Sequence, residues 1–267
     1  MNRIDAMFAE KARTGQRAFI PYITAGFPDL ASTEQIILLL AEKGADLIEL
    51  GVPFSDPIAD GPTIQKSSAE ALKTGASVAR ILDLVRRVRQ KTEIPVILFS
   101  AYNPLFRHGP SRIVPDAKVA GADGFLVSDL PPEESGEFEA ICRQHDMPLI
   151  YLVAPTTPPA RRDLIAQRAR GFIYYISLLG VTGERQKLAA DLEAEVRELH
   201  RHTRLPIAVG FGVSKPDHVR EVARFAEGIV VGSAIVRKIG ELRGDPQWLD
   251  KLGEFVESLS TPAHVRQ

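Results

Sequence analysis

The sequence is poor in residues that signal specialised chemistry or an unusual environment. A single cysteine, Cys142, occurs among 267 residues, so no internal disulfide can form and neither a CxxC redox pair nor a cysteine zinc site is available. A reducing, cytoplasmic compartment is expected. The six histidines are scattered, with no HxxxH or comparable ligand spacing, and no metal site is expected. No run of ~18 consecutive apolar residues suggests a membrane span. The opening MNRIDAMFAEKART has neither the apolar core of a signal peptide nor an Arg- and Ser-rich transit pattern. Excess charge of one sign is missing too: 33 basic against 34 acidic residues leave a formal net charge of −1. Bulk electrostatics therefore give no reason to seek a nucleic acid or an anionic membrane as partner.

What is present reads as one ordinary globular domain spanning 1–267, with 45% apolar and 25% charged residues. Eight apolar runs of strand length recur: 18–24 (AFIPYIT), 46–50, 95–100, 124–128, 148–153, 172–177, 206–210 and 228–232. Most are continuous rather than alternating, as strands of a parallel sheet covered by helices are. Pro95, Pro148 and Pro206 each open a run, where a missing N–H costs little.

Helical marks separate the runs. After Ser77, the residues Ile81, Leu84, Val85 and Val88 fall at i, i+3, i+4 and i+7, with Arg86, Arg87 and Arg89 largely elsewhere. This spacing predicts an outer helix with a solvated basic face. Similar stretches cover 31–43, 133–145, 158–168, 186–201, 215–226 and 246–259. Gly44-Ala45-Asp46 and Gly121-Ala122-Asp123 both read as a helix C-cap followed by strand entry. Alternating βα order at this length closes as an eight-stranded (β/α)8 TIM barrel. An additional N-terminal helix, carrying Ile4, Met7 and Phe8 on one stripe, is placed to plug its bottom. His200 and His202 are expected on a solvated helix end, and Cys142 on a stripe with Phe138 and His145.

In such barrels chemistry sits at the carboxyl ends of the strands. Along 46–50, a period of two puts Leu47 and Glu49 on one face and Ile48 and Leu50 on the other. With the more aliphatic face against helices, Glu49 points into the barrel near its top. A partly desolvated carboxylate there gains a raised pKa and can donate and accept protons near neutrality. A purely structural acid would need a cationic partner, and this strand carries no Lys or Arg. Next comes GVPFSDPIADGPTIQ (51–65), a long crossover with two further acids, Asp56 and Asp60; loops of that length in a barrel are usually functional. Spacing alone leaves Asp60 open between chemistry beside Glu49 and capping of the helix that Pro62 begins. Glycines at 180 and 183, 210 and 212, and 232, the last followed by Ser233 and a short helix, suggest a phosphate site at late strand tops. Tyr22, Tyr102 and Tyr174 near strand tops either line an apolar pocket or pack the core.

Together, ELGVPFSDPIADGPTIQ (49–65), YNP (102–104), DLPPEE (129–134), YYIS and GVTG (174–183), GFG (210–212) and VVGSAIV (230–236) resemble the tryptophan synthase alpha subunits over essentially the whole chain. The resemblance implies a carbon–carbon lyase performing retro-aldol cleavage of indole-3-glycerol phosphate to indole and glyceraldehyde 3-phosphate, with no metal or organic cofactor. It implies Glu49 as the acid/base and Asp60 as the partner of the indole N–H. It further implies Tyr22, Tyr102, Tyr174 and Thr182 at the substrate, and Gly183, Gly212, Gly232 and Ser233 at the phosphate. A lid over 178–190 is expected, as is an alpha2beta2 heterotetramer with a pyridoxal-phosphate beta subunit that receives indole, Asp56 lying near the interface. Two positions depart from some members: Leu178 stands in place of Arg, and Tyr22 in place of Phe.

Rival readings are kept. Phosphoribosylanthranilate isomerase and indole-glycerol-phosphate synthase share the glycine sites but not the 51–62 loop, and the synthase requires a catalytic Lys on an early strand top that is absent here. A mainly regulatory subunit predicts poor turnover alone and strong activation on mixing. A free-standing indole-releasing lyase predicts full activity alone.

Overall fold

The three prolines at 95, 148 and 206 lack a backbone donor, yet their carbonyls accept from the neighbouring strand: Ile48 N–H to Pro95, Phe125 N–H to Pro148 and Ile173 N–H to Pro206, each at 2.9 Å. They stand immediately before three strands and set their entry register. The structure, a computed structural model, describes residues 2–176, 185–210 and 212–266. Its strands are β1 (Ala18–Thr24), β2 (Ile48–Gly51), β3 (Val96–Ser100), β4 (Gly124–Val127), β5 (Leu149–Val153), β6 (Ile173–Ile176), β7 (Ile207–Gly210) and β8 (Gly228–Val231). They pair in parallel in chain order, and β8 returns to β1 to close a (β/α)8 barrel.

Helices α2 (Leu30–Glu42), α3 (Pro62–Lys73) and α4 (Val78–Arg89) follow the first two strands, and α5 (Tyr102–His108) and α6 (Pro110–Ala120) follow β3. Then come α7 (Gly136–Gln144), α8 (Pro159–Arg168), α9 (Arg185–Leu199), α10 (Pro216–Ala223), α11 (Ser233–Glu241) and α12 (Trp248–Ala263). Ser77 caps α4 and accepts from Arg80 N–H, and Gly44 and Gly121 take positive φ of 89° and 98° at helix ends, as their punctuation implies. The pair α5 and α6 escapes a periodicity search because Pro104, Gly109, Pro110 and Pro115 interrupt the apolar stripe. Among the described residues no helix is long and apolar enough to cross a membrane.

Side chains divide into two layers. Outward strand residues such as Ile48, Leu50, Leu98 and Val209 join the shell under the helices. Inward ones, including Ile20, Leu47, Ile97, Leu126 and Val230, form a separate inner core. The first helix, α1 (Arg3–Thr14), closes the amino end of that inner core with Ile4 and Phe8, the Phe8 ring 5.5 Å from that of Phe172.

A belt of carboxylates braces the same end. Asp46 accepts from Phe19 N–H, Asp123 from Val96 N–H, both at 2.8 Å, and Glu227 from Ile207 N–H at 2.9 Å. Each lies just before one strand and satisfies an amide at the start of its neighbour: the first of β3 and β7, the second of β1. Each also holds basic side chains: Lys11 and His264 on Asp46, Arg89 and Arg3 on Asp123, His200 on Glu227. His200 and His202 thus lie past the end of α9 as expected, but each against a carboxylate, His202 Nδ1 lying 2.6 Å from Asp163 Oδ1. Asp46→Ala orphans the Phe19 amide and leaves the Lys11 ammonium with Gln16 Oε1 at 3.4 Å alone, and is expected to cost about 2–3 kcal/mol. The midpoint of urea unfolding measures it.

Candidate active site

The inward alternation of β2 carries Glu49 to the open end of the inner core, opposite Tyr22 of β1 and Ile97 of β3 in register. Glu49 is 0% exposed, and neither carboxylate oxygen has a hydrogen-bond partner among the described residues. A buried, unpaired carboxylate minimises its cost by staying protonated. Burial accordingly pushes its pKa well above the ordinary 4.5. Burial thus favours the form that keeps its proton, and among the described residues no protein group is bonded to it.

Two tyrosines flank it. Tyr22 leans toward β2, so that a Cβ on Gly51 would overlap its hydroxyl and lie 2.5 Å from Cζ. Tyr174 leans toward β7 in the same way, and a Cβ on Gly210 would lie 2.5 Å from its Cζ. Gly51 and Gly210 are each two residues beyond an inward position, Glu49 and Ala208, so the rings fill the inward places these glycines vacate. Burial raises both phenols; the charge of Asp60 and then that of Glu49 add to the effect on Tyr22, and the charge of Glu49 to that on Tyr174. Phe99 meets Tyr22 edge-on, ring centroids 5.4 Å apart, and completes the wall. Phe99 and Gly51 were not among the sequence candidates, and Gly210 was read only among the phosphate glycines; the alternation of 97 and 99 on β3 is the signal that finds the phenylalanine.

Asp60 stands in the β2–α3 loop, and partial burial raises its carboxyl. It does not cap α3: the N-cap is Gly61, with no side-chain cap bond. The loop is instead fastened through backbone, Gln65 Nε2 donating to the Asp60 carbonyl at 3.0 Å. That leaves the Asp60 carboxyl uncommitted to the helix and close enough to Tyr22 for its charge to act there. Asp56 is exposed and accepts from Ser55 Oγ at 2.6 Å. Tyr102 is placed elsewhere, its ring centroid 5.8 Å from Phe106 and 5.9 Å from Phe138 at the edge of the outer shell. Its amide donates to Asp129 at 2.6 Å, which ties α5 to the DLPPEE loop.

At late strand tops, Gly232 is the N-cap of α11 with no side-chain cap bond, so no capping side chain competes for the first amides of a helix that begins at the carboxyl end of β8. Its Cα approaches Tyr22: a Cβ there would sit 3.4 Å from Tyr22 Cβ. Ser233 begins the helix. Gly212 takes φ +84°, and His218 of α10 clasps its turn, Nδ1 lying 3.2 Å from the Gly212 carbonyl and 3.3 Å from Ser214 N. Sequence reading passed over His218, which no spacing rule marks. Leu178, Thr182, Gly183 and most of the 178–190 lid segment lie outside the described residues.

The family model of the tryptophan synthase alpha chain matches residues 8–264. The chain is 50% identical to the tryptophan synthase alpha chain of Geotalea uraniireducens (strain Rf4) over 97% of both. Its fold superposes on tryptophan synthase subunit alpha of Legionella pneumophila str. Paris with a TM-score of 0.92, 35% identity and 98% coverage of each chain. On a chain of tryptophan synthase from M. tuberculosis in its aminoacrylate-bound form the TM-score is 0.88 at 29% identity, covering 99% of this chain and 100% of that one.

Proposed function

The chain belongs to the tryptophan synthase alpha chain family, a lyase subunit of tryptophan biosynthesis with a beta-subunit partner, and on that premise we propose the residues that carry its reaction. The substrate is indole-3-glycerol phosphate. Glu49, protonated at rest, delivers its proton to C3 of the indole ring, and the positive charge this creates spreads to the ring nitrogen. Asp60 hydrogen-bonds the ring N–H and stabilises that charge. The Glu49 carboxylate then takes the proton of the side-chain hydroxyl nearest the ring. The carbon–carbon bond breaks, its electron pair returns to the ring, and indole leaves beside the aldehyde of glyceraldehyde 3-phosphate. Glu49 ends as it began, so side chains of this protein balance the protons.

The observation that carries this reading is the fully buried, unpartnered Glu49 carboxyl at the barrel mouth. Tyr22 and Tyr174 supply flat walls for the ring, with Tyr102 at the rim. The Gly212 turn and the first turn of α11 at Gly232 and Ser233 hold the phosphate; Gly183 is assigned to the phosphate as well and Thr182 to the substrate, both outside the described residues. The test is indole release from indole-3-glycerol phosphate by the purified chain, alone and with a beta subunit. Indole formed in both cases, faster with the partner, supports the lyase; no indole in either returns the site to the other phosphate-handling barrels.

An alpha2beta2 assembly, with a pyridoxal-phosphate beta subunit consuming the indole, accounts for a surface feature of the same end. Ile58 in the β2–α3 loop is 94% exposed and Phe106 on α5 is 59% exposed, two large apolar side chains on neighbouring carboxyl-end segments. Ile58→Asp is expected to weaken association with the beta subunit about tenfold or more without changing the melting temperature of the isolated chain. Titration calorimetry and thermal denaturation check the two halves. A cytoplasmic location is proposed on the single thiol, Cys142, which is buried and whose pKa burial raises to about 12.

A further inference from the structure

The turn after β7 owes its shape to a side chain outside it. The chain passes through Gly212 with φ +84°, a conformation that glycine takes without strain. His218, in the first turn of α10, is buried. Its Nδ1 lies against two successive peptide units, 3.3 Å from Ser214 N and 3.2 Å from the Gly212 carbonyl oxygen. One ring nitrogen serves one of them at a time: bare, it accepts from Ser214 N–H; protonated, it donates to the Gly212 carbonyl. Either tautomer ties the same turn to α10.

The effect is felt at the other end of the peptide plane. A trans peptide points its C=O and N–H in opposite directions. With the Gly212 carbonyl beside Nδ1, the Val213 N–H of that plane points away from the imidazole. Among the described residues neither the Gly212 amide nor the Val213 amide donates to an acceptor. Gly212 is exposed, while Val213 sends its side chain into the outer shell. Two successive amide donors are therefore uncommitted at a turn whose other side is clasped by a buried ring. Successive backbone N–H groups of this kind make an anion-binding concavity, and the aim of the second depends on the plane that His218 holds.

We propose that His218 is a positioning residue for the substrate phosphate: its Nδ1, held on the Gly212–Ser214 turn, fixes the peptide plane that carries the Val213 amide and so aims that donor at the phosphate. This rests on the reading of the Gly212 turn as part of the phosphate site. His218 acts through the turn and not on the substrate. Without the ring, the 212–213 peptide adjoins a glycine with little to oppose its rotation, and a carbonyl turned outward repels the phosphate that the amide attracts.

The test measures cleavage of indole-3-glycerol phosphate, and its inhibition by inorganic phosphate and by indole, for the parent, His218→Ala, His218→Asn and His218→Gln. Asn places an amide atom where Nδ1 stands, and Gln places one where Nε2 stands. His218→Ala is expected to raise KM and the inhibition constant of phosphate together, about tenfold, with kcat and the inhibition constant of indole within about twofold. His218→Asn is expected to recover most of that loss and His218→Gln little of it. A histidine needed only for the fold gives another pattern, in which phosphate and indole binding weaken alike and in step with the melting temperature. Equal weakening of both inhibitors, or equal behaviour of the Asn and Gln variants, overturns the proposal and leaves the lyase reading intact. Should His218→Ala lose its fold, the Asn and Gln pair carries the comparison. A parent that releases no indole overturns the lyase reading, and the rise in melting temperature produced by inorganic phosphate then decides the role of His218: a rise kept in His218→Asn and lost in His218→Gln supports it, and an equal rise in both overturns it.

Discussion

Glu49→Gln is expected to slow indole release about a thousandfold while leaving the fold intact and, at alkaline pH, more stable than the parent. The first half follows from proton transfer: glutamine keeps the shape of the protonated acid but has no proton to deliver to carbon and no carboxylate to receive one. The second half follows from linkage. Burial raises the Glu49 pKa in the folded chain well above the 4.5 it has when exposed, so above that value the folded state holds a proton the unfolded state has released. Stability then falls as pH rises from about 4.5 toward the folded pKa, and Gln removes that dependence. Single-turnover assays give the rate, and parallel melting curves from pH 5 to pH 9 give the stability. A variant that keeps a tenth of the parental rate contradicts the proposed role.

Gly51→Ala is expected to cost about a hundredfold in turnover although it adds a single methyl group to a residue with no chemistry. The new carbon would overlap the Tyr22 hydroxyl and lie 2.5 Å from Cζ and 2.8 Å from Cε2. A ring cannot yield as a flexible chain end does. The phenol must swing by about 1 Å, and misplacement of that order in a site costs about 100-fold. Overpacking adds a stability loss of about 1–3 kcal/mol. Tyr22→Leu in the same chain removes the overlapping atoms and is expected to restore the melting temperature but not the rate. Stability and kcat/KM across the three variants check this, and a fully active Gly51→Ala chain would show that Tyr22 does not sit where the geometry places it.

Much of this site was legible because it rests on periodicity. Two-residue alternation along 46–50 puts Leu47 in the inner core and Ile48 and Leu50 in the outer shell, and Glu49 has no alternative but to follow Leu47 inward. The continuous apolar runs stand within one or two residues of the observed strands, since each is buried on both faces of a parallel barrel. Of the two readings spacing leaves open for Asp60, geometry removes the capping one, because Gly61 occupies the cap position of α3. Other features were not legible, for a common reason: they depend on which side chain crosses to a neighbouring strand. That Tyr22 reaches over Gly51 and Tyr174 over Gly210 is a matter of lean between residues 29 and 36 positions apart in sequence. The hold of His218 on the Gly212 turn likewise arises only once α10 is packed. The α5–α6 pair was hidden by its prolines.

The protonation of Glu49 in the folded resting chain bears most directly on the account, and difference infrared spectroscopy between the parent and Glu49→Gln reports it. A carbonyl stretch of a protonated carboxylic acid, present at pH 7, absent from the variant and titrating well above 4.5, is the result predicted from its burial. A carboxylate already ionised at pH 6 would contradict it, and would remove the proton on which the proposed cleavage begins.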